Sequence, residues 1–132
     1  MIANTTLGGS AATIDLTGIP GHYAHLRLVC YLRGDTATPP SYRVDMRFNG
    51  DRGANYDIQY LLGQGAGPGA GEFFADTKAQ VTIEPGGTAT ANLFSVTTID
   101  IPHYANSVNN KCTMSRYSWK IAVTTSTMAA GR

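Results

Sequence analysis

Charged residues are scarce in this sequence. Asp, Glu, Lys and Arg make up only 14% of its 132 residues, and ten basic against nine acidic side chains leave a formal net charge of +1. Typical soluble proteins carry about a quarter charged residues, and a surface that binds nucleic acid needs a basic stripe. The arginines here are scattered along the chain. The composition therefore argues against a nucleic acid partner, and the weakly charged exterior favours burial against another protein.

Long apolar runs are also missing. The longest uncharged stretches lie between Asp57 and Glu72 and between Glu84 and Asp100, and Gly, Pro, Thr and Asn interrupt both. A membrane-spanning helix needs about 20 predominantly apolar residues, so we expect no membrane association. The first ten residues have neither a basic start nor an apolar run, which predicts a soluble protein without a secretory leader.

Cysteine occurs only twice, at Cys30 and Cys112, and this spacing fits no metal-binding or redox motif. Cys30 is in phase with Leu26 and Leu28, so we predict that it is a small apolar core residue. Because no secretory leader is expected, we also expect both thiols to be reduced.

Helical periodicity is absent as well. Short runs of alternating apolar residues or of β-branched residues recur at roughly ten-residue spacing, with Gly, Pro, Asn and Asp between them. The predicted strands cover residues 11–16, 23–33, 42–48, 56–62, 73–75, 79–83, 91–101, 112–116 and 117–127. In the second of these, Val29 and Tyr31 are expected to point outward, with Arg27 and Arg33. The pattern predicts an all-β, single-domain protein built as an antiparallel sandwich or barrel.

The tract at residues 47–56 reads RFNGDRGANY and joins two alternating runs. Upstream, every second residue of 42–48 shares one face, and downstream the same holds for 56–62. Between them, Asn49-Gly50 tolerates positive φ and ends strands. The tract therefore predicts a β-hairpin.

Residues 63–71 contain five glycines and one proline, which predicts a segment without a regular element. A phosphate-binding loop would need a Gly-Lys-Ser/Thr ending and a following helix, and the segment has neither. It is either a contact loop that orders against a neighbour or a flexible connection. The candidate contact residues of the loop are Gly63, Gln64, Gly65, Gly67, Pro68, Gly69 and Gly71. An N-terminal arm, residues 1–10, adds Ile2, Asn4 and Leu7 as candidates, and both segments are expected to order only on binding.

Residues suited to catalysis or metal binding form no recognisable motif. His22 and His25 are three positions apart, so in a strand they would point to opposite faces, and His103 is distant in sequence. Combinations such as Cys112, His103 and Asp100 occur in any chain of this length. We therefore predict no catalytic residues, no metal site, no cofactor and no enzymatic activity.

Two further patterns have ordinary structural explanations. Arg33-Gly34-Asp35 spells the integrin-binding tripeptide, but Gly34 and Asp35 are turn formers at the end of a predicted strand. Seven tyrosines and one tryptophan could line a sugar-binding face. Most of them are in phase with the apolar sides of their strands, and Tyr31 is the exception.

Three segments carry a family resemblance: IDLTGIP at 14–20 leading into HLRL at 25–28, RFNGD at 47–51 followed by Asn55-Tyr56, and IDIPHYA at 99–105. Together they resemble a family of small virion structural proteins of tailed bacteriophages, over most of residues 11–116. The shared motifs are turn formers and strand ends, so they carry over no catalytic residues. Relatives usually continue for another strand or two beyond Thr127, which leaves open whether the sandwich closes on itself or is completed by a neighbour.

The resemblance implies an antiparallel jelly-roll-like β-sandwich over residues 11–132, in a virion assembled in the host cytoplasm. We predict a capsid decoration protein that binds the outer surface of the assembled head. Its expected partners are the major capsid protein or other virion proteins and further copies of itself, with a trimer favoured. The alternative is a tail-associated receptor- or carbohydrate-binding module. A tail-tube or adaptor subunit ranks third, because it would need longer insertions.

Overall fold

The computed structural model describes residues 2–37, 41–64, 67–119 and 127–130. Within these residues every regular element is a β-strand, and every pair of strands is antiparallel. The strands are β1 (His25–Leu32), β2 (Ser41–Met46), β3 (Tyr56–Gln64), β4 (Gly67–Asp76), β5 (Ala79–Pro85), β6 (Ser95–Pro102), β7 (Met114–Trp119) and β8 (Thr127–Ala130). The predicted all-β, antiparallel class is confirmed.

The described strands form one four-stranded sheet, in the order β1-β6-β7-β8, and two smaller sheets, β2-β5 and β3-β4. β1 and β6 pair along their whole length, from His25 opposite Pro102 to Leu32 opposite Ser95. β5 contacts β6 and β7, while β3 contacts β5 and β8. Both smaller sheets therefore lie against the four-stranded sheet.

The core lies between β5 and the inner face of the four-stranded sheet. Val81 of β5 packs with Ile99 and Ile101 of β6, and all three are buried. Alternation along β6 places these isoleucines inward and Thr98 and Asp100 on the other face. Partly buried apolar side chains complete the cluster, namely Leu26, Leu28, Val44, Met46, Phe48, Ala79 and Tyr104.

Two threonines add a polar contact to this interior. Thr82 and Thr97 are fully buried, and the Thr97 hydroxyl donates a hydrogen bond of 2.7 Å to the Thr82 hydroxyl. The Thr82 hydroxyl donates in turn to the Ile83 carbonyl at 3.2 Å. Each buried hydroxyl therefore has a partner, which removes most of the cost of burying it.

The hairpin predicted around residues 47–56 is wrong, although its turn is present. Asn49 and Gly50 have φ of 51° and 73°, and the Asp51 N–H donates to the Phe48 carbonyl at 2.9 Å. The flanking strands nevertheless pair elsewhere, β2 with β5 and β3 with β4. After the turn, the Asp51 carboxylate accepts hydrogen bonds from Gly53 N and Asn55 Nδ2, so this part of the chain folds on itself and does not start a strand beside β2.

The prediction that residues 63–71 form no regular element is also wrong. β3 continues to Gln64 and β4 starts at Gly67, with Leu62 opposite Gly69. Residues 65 and 66 lie outside the described part of the chain. Pro68 is compatible with β4 because β4 pairs only with β3 among the described strands, so one side of it needs no N–H donor.

Glycine in β4 makes room for an aromatic ring. A Cβ atom on Gly71 would collide with the phenol ring of Tyr60, its partner on β3. The Tyr60 ring also stacks on Phe73, with 5.9 Å between the ring centroids. The glycine-rich composition thus serves close cross-strand packing at this position.

Other predicted strands also differ from the structure. Residues 11–16 form no strand, because a strand needs a neighbour and none of the described residues pairs with them. The strand predicted at 91–101 begins only at Ser95, after a turn in which Asn92 has φ of 62°. β7 (Met114–Trp119) covers the end of the strand predicted at 112–116 and the start of the one predicted at 117–127, and β8 starts only at Thr127; residues 120–126 lie outside the described part.

Candidate contact surface

The face of the four-stranded sheet opposite the core, which we call the outer face, is exposed and partly apolar. Cross-strand pairing places Tyr31 opposite Val96 and Val29 opposite Thr98. Val29 is 59% exposed and Tyr31 71%, and Val96 and Met114 are exposed too. Clustered apolar side chains on a monomer surface are typical of a site that binds another molecule.

The other end of the outer face is charged. Arg27 Nε donates to Asp100 Oδ1 at 2.6 Å, and Arg27 Nη2 donates to Asp100 Oδ2 at 3.2 Å. Arg116 Nη2 lies 3.7 Å from the same carboxylate. The hydrogen bond from Arg27 lowers the pKa of Asp100 below its ordinary value of 3.8, so the three side chains carry a net charge of one positive unit at neutral pH.

Arg33, at the end of β1, fixes the segment that leads into β6. Its guanidinium donates to four backbone carbonyls, those of Gly87, Ala89, Thr90 and Leu93, at 3.4, 2.9, 2.8 and 3.1 Å. The Gly34 N–H donates to the Pro85 carbonyl at 2.9 Å. The Arg33-Gly34-Asp35 triplet therefore joins parts of the fold, which agrees with a structural explanation of its sequence.

Residues 20–24 are tied to the connection that follows β6. Tyr104 Oη donates to the Pro20 carbonyl, and the His103 N–H lies 3.0 Å from the Ala24 carbonyl. The same N–H lies 3.3 Å from His25 Nδ1, and the two histidine rings are 4.9 Å apart in an edge-on arrangement. The fold thus brings together two histidines that are distant in sequence, which sequence reasoning missed.

Residues 2–19, which we call the leading segment, form no strand and are exposed throughout. No hydrogen bond joins them to any described residue. Exposed apolar side chains recur along the segment at Ile2, Leu7, Ile14, Leu16 and Ile19. The candidate contact residues Ile2, Asn4 and Leu7 are therefore accessible, and their contact role stays a prediction.

The candidate contact loop lies in the β3-β4 sheet and not on the outer face. Gly63 and Gln64 end β3, while Gly67, Pro68 and Gly69 start β4 and are exposed. Gly71 is half-buried, and Gly65 lies outside the described residues. Ordering of this loop on binding stays a prediction.

The exposed tyrosines are only partly as predicted. Tyr31 is exposed, but Tyr23 and Tyr42 are exposed as well. Sequence reasoning placed Val29 and Tyr31 outward and missed Val96 as their neighbour. The alternation of residues 95–101 places Val96 and Ile99 on opposite faces of their strand, so the sequence contained part of the signal. That Val96 lies next to Tyr31 follows only from the pairing of β1 with β6.

The described residues offer little reactive chemistry. Among them, no group of three or more His, Cys, Asp or Glu residues could hold a metal ion. Cys30 and Cys112 are free cysteines, and burial raises the pKa of the Cys30 thiol above its ordinary value of 9.0, which keeps it protonated and unreactive. No helix in the described ranges is long and apolar enough to cross a membrane.

Comparison with known proteins identifies no relative of this chain. A scan against protein-family models and searches of curated proteins and of solved structures found no significant match to this chain.

Proposed function

We propose that this chain is a structural protein of a tailed-bacteriophage virion, a decoration protein that binds the outer surface of the assembled head. The observation that carries the proposal is the outer face, where Tyr31 is 71% exposed beside Val96. The resemblance of three segments to phage virion proteins supports the class of protein. The low charge of the chain, 14% of residues, supports burial of part of its exterior against a partner.

The chain has enough surface for a stable contact with a capsid. A typical stable interface buries about 800 Å² on each partner, which is a small part of the 9157 Å² that this chain exposes. Val29 and Tyr31 would supply the apolar centre of the contact, and aromatic anchors of this kind dominate binding energy. The charged group of Arg27, Asp100 and Arg116 would orient the protein on its site.

Stabilisation of the shell would follow from binding the assembled lattice more tightly than free capsid subunits. Any molecule that binds one state preferentially shifts the equilibrium toward that state. Many copies that bridge neighbouring subunits add their effects. The major capsid protein is the partner that this mechanism requires.

We also propose that the strands form a jelly-roll-like β-sandwich. The core between β5 and the four-stranded sheet supports this arrangement, because it lies between two layers. In this arrangement β2, β5, β3 and β4 belong to the second layer, and the outer face stays available for a partner.

A tail-associated receptor- or carbohydrate-binding module is the second candidate. Tyr31 favours it, because an exposed aromatic ring on a sheet face is available for stacking on a sugar ring. Arg27 and Asp100, at the other end of the same face, could hydrogen-bond sugar hydroxyls. The two candidates differ in copy number and location on the particle, since a head lattice takes hundreds of copies and a tail far fewer.

The test adds protein back to capsids of the encoding phage from which it has been stripped. Tyr31→Ser removes the exposed ring from the outer face. Tyr42→Ser is the matched control, because Tyr42 is 50% exposed on β2 in another sheet. Co-sedimentation measures rebinding, and release of DNA to a fluorescent dye on heating measures rupture of the shell.

We expect wild type and Y42S to rebind and to raise the rupture temperature, and Y31S to bind at least about tenfold more weakly, as for an aromatic anchor. Equal binding of Y31S and wild type would show that the outer face is not the contact. Equal rupture temperatures for stripped and decorated shells would contradict decoration, and labelling of tail tips by a specific antibody would favour the second candidate.

A further inference from the structure

We propose that residues 12–17 of one copy add as a β-strand to the free edge of β1 in a second copy. The occupant of that edge is therefore another molecule of the same chain. The inference concerns self-association and does not rest on the proposed virion function.

The donor is a segment with the pattern of a strand and no strand partner. Ile14 and Leu16 alternate with Thr13, Asp15 and Thr17, which is the period of a half-buried strand. The structure leaves this stretch exposed and without a hydrogen bond to any described residue. Its backbone groups and its apolar side chains are both available to a neighbour.

The acceptor is an edge strand with one side unpaired among the described residues. β1 is the end strand of the four-stranded sheet and pairs only with β6 among the described strands. In an antiparallel pair every second residue directs its N–H and C=O away from the partner. The eight residues of β1 therefore present a row of open backbone groups, which is a template for an added strand.

The two segments fit in length and in side-chain pattern. Six extended residues span about 20 Å and the eight of β1 about 26 Å. With Ile14 and Leu16 on the inner side, the added strand would cover the half-buried Leu26 and Leu28. Gly18, with φ of 66°, ends the strand immediately after residue 17.

Charge also matches in this arrangement. When Ile14 and Leu16 face inward, Asp15 falls on the outer face by alternation. The outer face of β1 carries Arg27, whose side chain is 62% exposed. The group that Arg27 forms with Asp100 and Arg116 has one surplus positive charge, and Asp15 would neutralise it.

A copy does not supply this strand to its own β1 in the structure, because residues 12–17 form no hydrogen bond with any described residue. The carbonyls of Pro20 and Ala24, which follow the segment, are held by Tyr104 and His103 in the connection after β6. These two bonds limit how far the segment can move toward its own β1. A second copy has no such restriction, and it can donate the strand either by reciprocal exchange in a dimer or one way around a ring.

Proline substitutions test the pairing directly, because proline removes the backbone N–H that a ladder needs. Neighbouring residues of a strand direct their N–H groups to opposite sides, so at least one of Asp15→Pro and Leu16→Pro must remove a ladder bond. Asn4→Pro is the control, since it lies in the leading segment but outside residues 12–17. All three positions are exposed, and none forms a hydrogen bond with a described residue.

Light scattering and sedimentation of the full chain, from about 1 µM to 1 mM, measure self-association. Hydrogen exchange of the β1 amides reports whether the free edge is covered. We expect wild type and N4P to form species of two or more copies with protected β1 amides. At least one of D15P and L16P should associate at least tenfold more weakly and expose alternate β1 amides, while far-UV circular dichroism stays unchanged.

Three outcomes would overturn the proposal. The first is a wild-type protein that stays monomeric over the whole concentration range with exposed β1 amides. The second is association of both proline variants as tight as that of wild type. The third is a monomer whose β1 amides are protected and lose protection in the proline variants, which would show pairing within one copy.

Discussion

The buried hydroxyl pair in the core permits a sharp test of the packing described above. Thr97 donates to Thr82 at 2.7 Å with both residues fully buried, and Thr82 donates to the Ile83 carbonyl at 3.2 Å. The perturbation is a double-mutant cycle of T82V, T97V and the double variant. Valine keeps the branched shape of threonine and removes the hydroxyl, so the cycle isolates the polar contact.

The two single changes should cost different amounts. T82V leaves the Thr97 hydroxyl buried without its acceptor, and an unsatisfied buried group costs about 1–3 kcal/mol. T97V costs less, about 0.5–1.5 kcal/mol, because Thr82 keeps its bond to Ile83. The double variant buries two methyl groups in place of two hydroxyls and should be close to wild type in stability. The coupling energy, the cost of the double change minus the two single costs, is then about −1.5 to −4.5 kcal/mol.

Urea denaturation followed by tryptophan fluorescence gives the four unfolding free energies, and melting temperatures should follow at about 4 °C for each kcal/mol. Thr98→Val is the matched control on β6, because Thr98 lies on the outer face; its effect should stay within about 0.5 kcal/mol. Destabilisations that simply add in the double variant would refute the reasoning, since they would show that the two hydroxyls do not depend on each other.

Two further predictions concern charged groups. Arg33→Lys should destabilise the fold by about 1–2 kcal/mol in urea denaturation, because one ammonium group cannot reach the four carbonyls that the guanidinium holds; Arg47→Lys, which loses a single bond to a carbonyl, should change little, and equal effects would contradict the explanation. Burial, and to a smaller extent the charge of the nearby Asp35, raises the pKa of Glu84 above its ordinary value of 4.5. The folded state therefore binds this proton more tightly than the unfolded state does. The free energy of unfolding consequently falls as the pH rises from 4.5 through the folded pKa. Glu84→Gln should therefore be more stable than wild type at pH 7 and lose that pH-dependent fall in thermal melts, whereas Glu72→Gln controls for the loss of one negative charge; a less stable E84Q would contradict the assigned cause.

Local patterns predicted the faces of individual strands well. Alternation in β1 placed Leu26 and Leu28 inward and Val29 and Tyr31 outward, and the structure agrees. This success has a physical reason, because side chains of a strand alternate whatever its partner is. The turn at Asn49-Gly50 was predictable too, because Asn and Gly tolerate positive φ whatever the flanking strands pair with.

Strand partners were not predictable, because pairing is decided between distant segments. The tight turn at Asn49-Gly50 suggested a hairpin, but the Asp51 carboxylate binds the chain just after it and β3 pairs onward with β4. In the glycine-rich tract, the ring of Tyr60 on the neighbouring strand occupies the space that a side chain at Gly71 would need. Composition does not reveal this contact. The candidate contact surface depends on β1 lying beside β6, so its full membership required the structure.

The pairing of β1 with β6 has a consequence for biosynthesis. The bond from the Ser95 hydroxyl to the Leu32 carbonyl joins residues 63 positions apart, and ribosomes add about 5–20 residues each second. A nascent chain therefore waits about 3–13 s between completing β1 and starting the strand that pairs with it. The β3-β4 hairpin, whose strands are adjacent in sequence, emerges complete within this interval. Co-translational folding of the protein should thus begin in the middle of the chain. During this interval β1 stays unpaired and can be bound by chaperones that recognise apolar segments.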